Sequence, residues 1–68
     1  MDIRYTRHAI VDSMPDDKIS VEDVRFVMQK AERRTRVGDN KFKFRYRDIE
    51  VVCIKAPGYW LVITTYRI

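Results

Sequence analysis

The stretch from residue 41 to residue 47 reads Lys41-Phe42-Lys43-Phe44-Arg45-Tyr46-Arg47 and alternates a cation with an aromatic residue at every step. Such a period of two is typical of a β-strand that buries one face and exposes the other. The pattern therefore predicts a strand over 41–47, with the aromatic rings directed into the core and the four cations directed outward. The rest of the chain must supply the apolar surface against which these rings pack.

The other residues after Glu32 also have strand character. A shorter strand is predicted over 33–37, and the turn Gly38-Asp39-Asn40 joins it to the alternating strand. Residues 49–55 are apolar on both faces, as in an inner strand. Pro57-Gly58 then supplies a tight turn, and the last strand, 59–67, returns antiparallel.

Before residue 33 the apolar residues recur at helical spacing instead. Thr6 is placed to cap a first helix over about 6–14, and Pro15 disfavours helical geometry at the residue before it. This helix is expected to pack through one turn of apolar stripe. The stripe consists of Ile10, Val11 and Met14.

The second helix has the clearest start in the sequence. Ser20 is the expected N-cap, and Glu22 and Asp23 place negative charge in the first turn. The helix is predicted over about 20–32, with Phe26 projecting away from its apolar stripe. That stripe consists of Val21, Val24, Val27, Met28 and Ala31.

The elements follow one another in the order α-α-β-β-β-β and predict a single α+β domain over residues 1–68. Two N-terminal helices are expected to pack on one face of an antiparallel sheet of three to four strands. The predicted core contains Ile10, Val24, Val27, Met28, Phe44, Val51, Cys53, Leu61 and Ile63.

Length, cysteine content and hydropathy exclude several classes of protein. A chain of 68 residues is too short for a multidomain protein or a solenoid. Cys53 is the single cysteine, so no internal disulfide can form. No run of about 20 apolar residues is present to cross a bilayer, and MDIRYTRHA lacks the apolar centre of a signal peptide. We therefore expect a cytoplasmic protein with no membrane partner.

Charge is distributed unevenly along the chain. The formal net charge is +4, but residues 30–47 alone contain eight basic and two acidic side chains, a net charge of +6. Such a segment attracts a polyanion or an acidic protein, with a strength that falls as salt rises.

Three short motifs carry a resemblance to a known group of proteins. They are Tyr5-Thr6-x-His8-Ala9, Ile19-Ser20-x-x-x-Val24 and Val62-Ile63-Thr64-Thr65-Tyr66. The match extends from about Ile3 to Tyr66 and resembles a family of small prokaryotic domains of unknown function placed near the RelE and ParE toxins. The resemblance implies a RelE-like toxin fold, shared with barnase-like ribonucleases, and a link to RNA cleavage or translation control.

The sequence departs from that family at two places. Family members usually carry an arginine one helical turn after the histidine, where this chain has Asp12. A second arginine and a glycine normally precede the Ile-Ser pair, where this chain has Asp16, Asp17 and Lys18. If the family arginines handle a phosphate, that site is weakened or absent here.

His8 is the only histidine and the first candidate for chemistry. The helix N-terminus favours its neutral form, whereas Asp12, one turn later, favours its charged form. A neutral imidazole oriented by a carboxylate can accept a proton from a ribose 2′-hydroxyl. The alternative, which is the commoner case, is a structural histidine that ties the helix to a strand. One histidine and one cysteine far apart in the chain give no metal-ligand spacing, so no metal site is predicted.

The basic cluster is the second candidate. Cleavage of a phosphodiester without a metal needs fixed cations on the phosphate oxygens, and RelE-like toxins resemble this chain in relying on lysine, arginine and tyrosine. The alternative role for such cations is a solvated face that protects a sheet edge from aggregation. The residues predicted to contact nucleic acid are Arg33, Arg34, Arg36, Lys41, Lys43, Arg45 and Arg47.

The last strand and the inner strand add three further residues. An aromatic ring beside cations can stack on a nucleobase, but Trp60 is expected to belong to the core. Strict alternation places Trp60 and Tyr66 on the same face of the last strand. Cys53 is interpreted as an inert buried thiol.

Two hypotheses of different classes follow. The first is a toxin-like domain that binds RNA or the ribosome, with weak metal-independent endoribonuclease activity carried by His8, Arg45 and Tyr66. The second is a non-catalytic protein-interaction module. The partner of a toxin relative is expected to be an acidic antitoxin-like protein, the chain a monomer or a homodimer, and no cofactor is expected.

Overall fold

Five strands form one mixed sheet, and two helices lie between the first strand and the second. The computed structural model describes residues 1–68. The first helix, α1, begins as a π-helix over His8–Ser13 and continues as an α-helical turn over Met14–Asp16. The other elements are β1 (Ile3–Tyr5), α2 (Val21–Lys30), β2 (Arg33–Arg36), β3 (Lys41–Tyr46), β4 (Ile49–Ala56) and β5 (Tyr59–Arg67).

The predicted fold class is wrong in its sheet. The strand order is β1-β5-β4-β3-β2, so the sheet has five strands, and a strand precedes the helices. Strands β2 to β5 form the expected antiparallel meander, but β1 pairs in parallel with β5 and places Ile3 opposite Trp60. The first strand was missed because three residues, two of them apolar, are too few to establish an alternation.

The second helix follows its sequence signals closely. The Ser20 hydroxyl accepts a hydrogen bond from the Asp23 N–H (3.1 Å), and the Asp23 carboxylate accepts one from the Ser20 N–H (2.9 Å). This capping box satisfies two backbone donors that the helix itself leaves free. Val24, Val27 and Met28 are buried, and Phe26 projects away from them, which confirms the centre of the predicted stripe. Val21, which was predicted in the same stripe, is exposed instead.

The first helix presents a different face from the predicted one. The Met14 N–H donates to the carbonyl of Ala9, five residues earlier, which is the hydrogen bond of a π-helix. The wider turn places Ala9 and Met14 on the buried face, and it leaves Ile10 46% exposed and Val11 54% exposed. The prediction that Ile10 and Val11 line the core is therefore wrong. The helix also continues through Pro15 to Asp16.

A β-bulge in β5 inverts the alternation of the last strand. Val52 lies opposite Thr64, whereas the next residue, Cys53, lies opposite Val62, so Ile63 is an extra residue. Val62 and Thr65 therefore both face the core. The predicted core positions Leu61 and Ile63 are wrong, since both are only half-buried and neither belongs to the core cluster.

Polar groups of Thr6, just before the first helix, and of Ser13 within it hold the bulge in place. The Thr6 N–H donates to the carbonyl of Val62 (3.0 Å), and the Thr6 hydroxyl donates to that of Ile63 (3.3 Å). The Ser13 hydroxyl accepts a hydrogen bond from the Thr65 N–H (3.2 Å). The irregular backbone is thus paired with side chains rather than left unsatisfied, which keeps the bulge at one position.

Both helices pack on the same face of the sheet. Their buried residues form one cluster with Phe44 of β3, Val51 and Cys53 of β4, and Val62 of β5. The opposite face carries no helix, and we call it the open face. The whole core cluster consists of Ala9, Met14, Ile19, Val24, Val27, Met28, Phe44, Val51, Cys53 and Val62.

Candidate functional site

The strand register determines which side chains lie on the open face. Residues directly opposite each other on neighbouring strands share a face of the sheet. A residue paired with a core residue therefore lies on the side that the helices cover, and the next pair along the strands lies on the open face. Phe44 lies opposite Val51 on the covered side, and the pairs on either side of it therefore belong to the open face. Across β3, β4 and β5 these rows are Lys41-Ile54-Leu61, Lys43-Val52-Thr64 and Arg45-Glu50-Tyr66.

Edge strand β2 extends this surface with further charge. Arg33 lies opposite Arg45, and Thr35 lies opposite Lys43, so both β2 residues face the open side. All four residues of β2 are exposed. The open face thus brings together Arg33, Lys41, Lys43 and Arg45 around a single carboxylate on the strands, that of Glu50.

Three side chains at the centre of the open face form a hydrogen-bonded network. The Tyr66 hydroxyl donates to Oε1 of Glu50, and Nζ of Lys43 lies 3.4 Å from the same oxygen. The hydrogen bond to Glu50 is the main cause that raises the pKa of the Tyr66 hydroxyl, and hydrogen bonds to Tyr66 and Glu50 raise the pKa of Lys43. At neutral pH Tyr66 therefore keeps its proton and Lys43 keeps its charge.

This network favours binding over proton abstraction. A general base works best when its pKa lies near the pH at which it operates. The pKa of Tyr66 is raised above its ordinary value of 10.0, and the hydroxyl already donates its proton to a carboxylate. Tyr66 is thus arranged as a fixed donor within a polar surface, and it shares the Glu50 carboxylate with Lys43.

His8 lies on the other side of the sheet from Arg45 and Tyr66. Nδ1 of His8 is 3.4 Å from Oδ2 of Asp12 in the next turn, and both side chains are about 60% exposed. Helix α1 packs on the covered face, whereas Arg45 and Tyr66 belong to the open face. The structure therefore does not bring the three predicted catalytic residues together.

Three cations of the predicted cluster do not join Arg33, Lys41, Lys43 and Arg45 on the open-face strands. Arg34 belongs to the covered side, and its guanidinium lies 4.8 Å from the centre of the Phe44 ring. Arg36 donates to the carbonyls of the β2–β3 turn. Arg47 was expected to continue the strand, but β3 ends one residue earlier, and Arg47 adopts a left-handed φ of 55° in the turn.

Trp60 and Cys53 occupy the covered side. The Trp60 ring meets the rings of Phe42 and Phe44 edge to face, with centroids 5.5 Å and 5.2 Å apart. Burial raises the pKa of the Cys53 thiol to about 12, so the thiolate that acts as a nucleophile is scarce. No group of three His, Cys, Asp or Glu side chains is placed to hold a metal ion.

Sequence reasoning missed Glu50, although a signal for it was present. The β3–β4 turn contains two residues, which places Tyr46 opposite Ile49 and Arg45 opposite Glu50. The length of this turn could have identified Glu50 as a neighbour of the cation row. The position of Tyr66 beside Glu50 depends in addition on the bulge, which no turn signal or change of composition marks.

Comparison with protein-family models, with curated proteins and with solved structures gives no match to this chain. Neither helix has the length and apolar character to cross a lipid bilayer. The open face is therefore the main guide to function.

Proposed function

We propose that this protein binds RNA along the open face of its sheet. The observation that carries the proposal is the row of Lys41, Lys43 and Arg45 on β3, with Arg33 beside it on β2, on a surface that no helix covers. The short motifs that resemble proteins near the RelE and ParE toxins favour the same class of partner. The proposal concerns binding alone, because His8 lies on the opposite side of the sheet.

The spacing of the cations suits a chain of phosphates. At about 3.4 Å per residue, alternate side chains on one strand lie about 7 Å apart, so successive cations can contact successive phosphates of an extended strand. Lys41 and Arg45 form no ion pair with a carboxylate, and Lys43 alone shares its charge with Glu50. The row therefore retains most of its positive charge for a ligand.

Apolar side chains next to the row provide a surface for bases. Ile54 and Leu61 lie half-buried on β4 and β5 beside the cations, and Tyr66 is half-buried at the end of the same face. Single-stranded nucleic acid binds where a basic track runs alongside apolar or aromatic surface, because every base has a flat apolar face. This arrangement favours single-stranded RNA, with phosphates over β3 and bases over β4 and β5.

The salt dependence of RNA affinity tests the proposal. The variant Lys41→Gln/Arg45→Gln removes two cations from the open face, and each lost phosphate contact lowers the slope of log K against log[salt] by about 0.7 for a single strand. We expect the slope for an oligouridine to fall by about 1.4 in this variant. The measurement is fluorescence anisotropy of the labelled oligonucleotide over a series of salt concentrations.

A matched control separates the open face from charge in general. The variant Arg25→Gln/Lys30→Gln removes two exposed cations from α2, on the covered side. We expect this control to keep the wild-type slope. An equal loss of slope in both variants, or no RNA binding by the folded wild-type protein at low salt, would contradict the proposal.

An acidic protein is the second candidate partner, and the apolar part of the open face favours it. Ile54 and Leu61 form a short apolar strip beside the cations, which is the composition of a protein interface with complementary charge. A non-catalytic interaction module of this kind is favoured if the folded protein fails to bind RNA at low salt.

A further inference from the structure

A hollow of about 300 Å³ lies at one corner of the open face. It forms where the chain leaves α2, next to β2 and the β3–β4 turn. Its lining consists of four charged residues and no apolar ones, namely Glu32, Arg33, Arg45 and Arg47. The volume is at the lower end of the range for small-molecule sites, which begins at roughly 300 Å³.

The positive charge in this hollow is not neutralised by ion pairs. None of its three guanidinium groups pairs with a carboxylate. Arg33 and Arg45 lie directly opposite each other on neighbouring strands, an arrangement in which like charges destabilise a sheet. The carboxylate of Glu32 accepts a hydrogen bond from the backbone N–H of Arg47 (2.9 Å) instead. An anion placed between these guanidinium groups would relieve this repulsion.

Hydrogen bonds hold the backbone around the hollow in one arrangement. The Glu32 N–H donates to the carbonyl of Arg45 (2.8 Å), and Nε of Arg45 donates to the carbonyl of Arg47 (3.3 Å). Arg47 keeps its left-handed φ of 55° with its N–H held by Glu32. A site formed in advance binds its ligand without a further cost of ordering the chain.

We propose that this hollow binds a phosphomonoester, and specifically the terminal phosphate of an RNA strand. Three guanidinium groups and one carboxylate leave a formal charge of +2, which matches a phosphomonoester of nearly −2 better than an internal phosphodiester of −1. Guanidinium groups also bind phosphate through paired N–H donors. The identity of the molecule that carries the phosphate rests on the proposed function, whereas the phosphate site itself does not.

Oligonucleotides that differ only in their ends test this site. Three forms of one short oligouridine are compared, with a 5′-phosphate, with a 3′-phosphate and with hydroxyl groups at both ends. We expect one phosphorylated form to bind about tenfold more tightly than the hydroxyl form, since its dianion gains charge-assisted hydrogen bonds. Arg33→Gln should remove this difference. Lys41→Gln, at the far end of the row, should weaken all three forms and keep the ratio.

Titration with small phosphates separates the site from the proposed function. Inorganic phosphate and uridine monophosphate are added separately while the Nε–H signals of Arg33 and Arg45 are followed by NMR. Saturable shifts with both ligands support the phosphate site. If these shifts appear but the protein does not bind RNA, the phosphate site is supported and the proposed function is wrong. If all three oligonucleotides bind with equal affinity and phosphate causes no shift, the phosphate site is wrong. RNA binding along the open face is then still supported.

Discussion

At the scale of single residues, Ser13 connects the first helix to the irregular part of the last strand. Its hydroxyl donates to the carbonyl of Ala9 (3.2 Å), accepts from the Thr65 N–H (3.2 Å) and lies 3.4 Å from the Thr65 hydroxyl. Both side chains are buried, so water cannot replace these contacts. One small polar residue thus stabilises the bulge that places Tyr66 on the open face.

Replacing Ser13 should be costly although the change is small. In Ser13→Ala the Thr65 N–H loses its acceptor in a buried position, and we expect the free energy of unfolding to fall by about 1–3 kcal/mol. Urea denaturation followed by circular dichroism measures this change. Thr64→Ala, at the neighbouring position on the open face, is the control and should cost less. Equal losses in Ser13→Ala and Thr64→Ala would show that the bulge is not held in this way.

At the scale of elements, the parts with complete local signals are those that the sequence predicts correctly. The alternation of β3, the Pro57-Gly58 turn with its φ of 83° at Gly58, and the Ser20 N-cap are all confirmed. Each depends on residues close together in the chain. The π-helix and the bulge were not predicted, because neither has a local signal and the hydrogen bonds that join them link residues about 50 positions apart.

The buried face of α2 offers a direct test at this scale. Val27 is 1% exposed within the core cluster, whereas Val21, on the same helix, is 39% exposed. Val27→Ala should lower the free energy of unfolding by about 1–3 kcal/mol, through the lost burial and the cavity that remains. Val21→Ala is the matched control and should have little effect, since alanine favours the helix and little burial is lost.

Thermal unfolding of both valine variants checks this expectation. The melting temperature should fall clearly for Val27→Ala and stay close to the wild-type value for Val21→Ala. The reverse order would mean that the helix packs through another face.

At the scale of the whole molecule, the sheet separates two surfaces of different character. One side holds both helices and the apolar core, and the other combines a row of cations with an apolar strip. The row itself could be read from residues 41–45, because it follows from alternation alone. The separation of His8 from Tyr66 could not be predicted from the sequence. It depends on which side of the sheet the helices cover and on the bulge, which inverts the alternation of β5.

The position of bound RNA on the molecule tests the central claim most directly. Methyl groups of Ile54 and Leu61 mark the open face, and those of Val11 and Val21 mark exposed positions on the two helices. Methyl NMR spectra recorded during titration with a single-stranded oligouridine at low salt distinguish the two sides. Saturable shifts confined to Ile54 and Leu61 are the predicted result. Shifts confined to Val11 and Val21, or none at all in the folded protein, would contradict RNA binding on the open face.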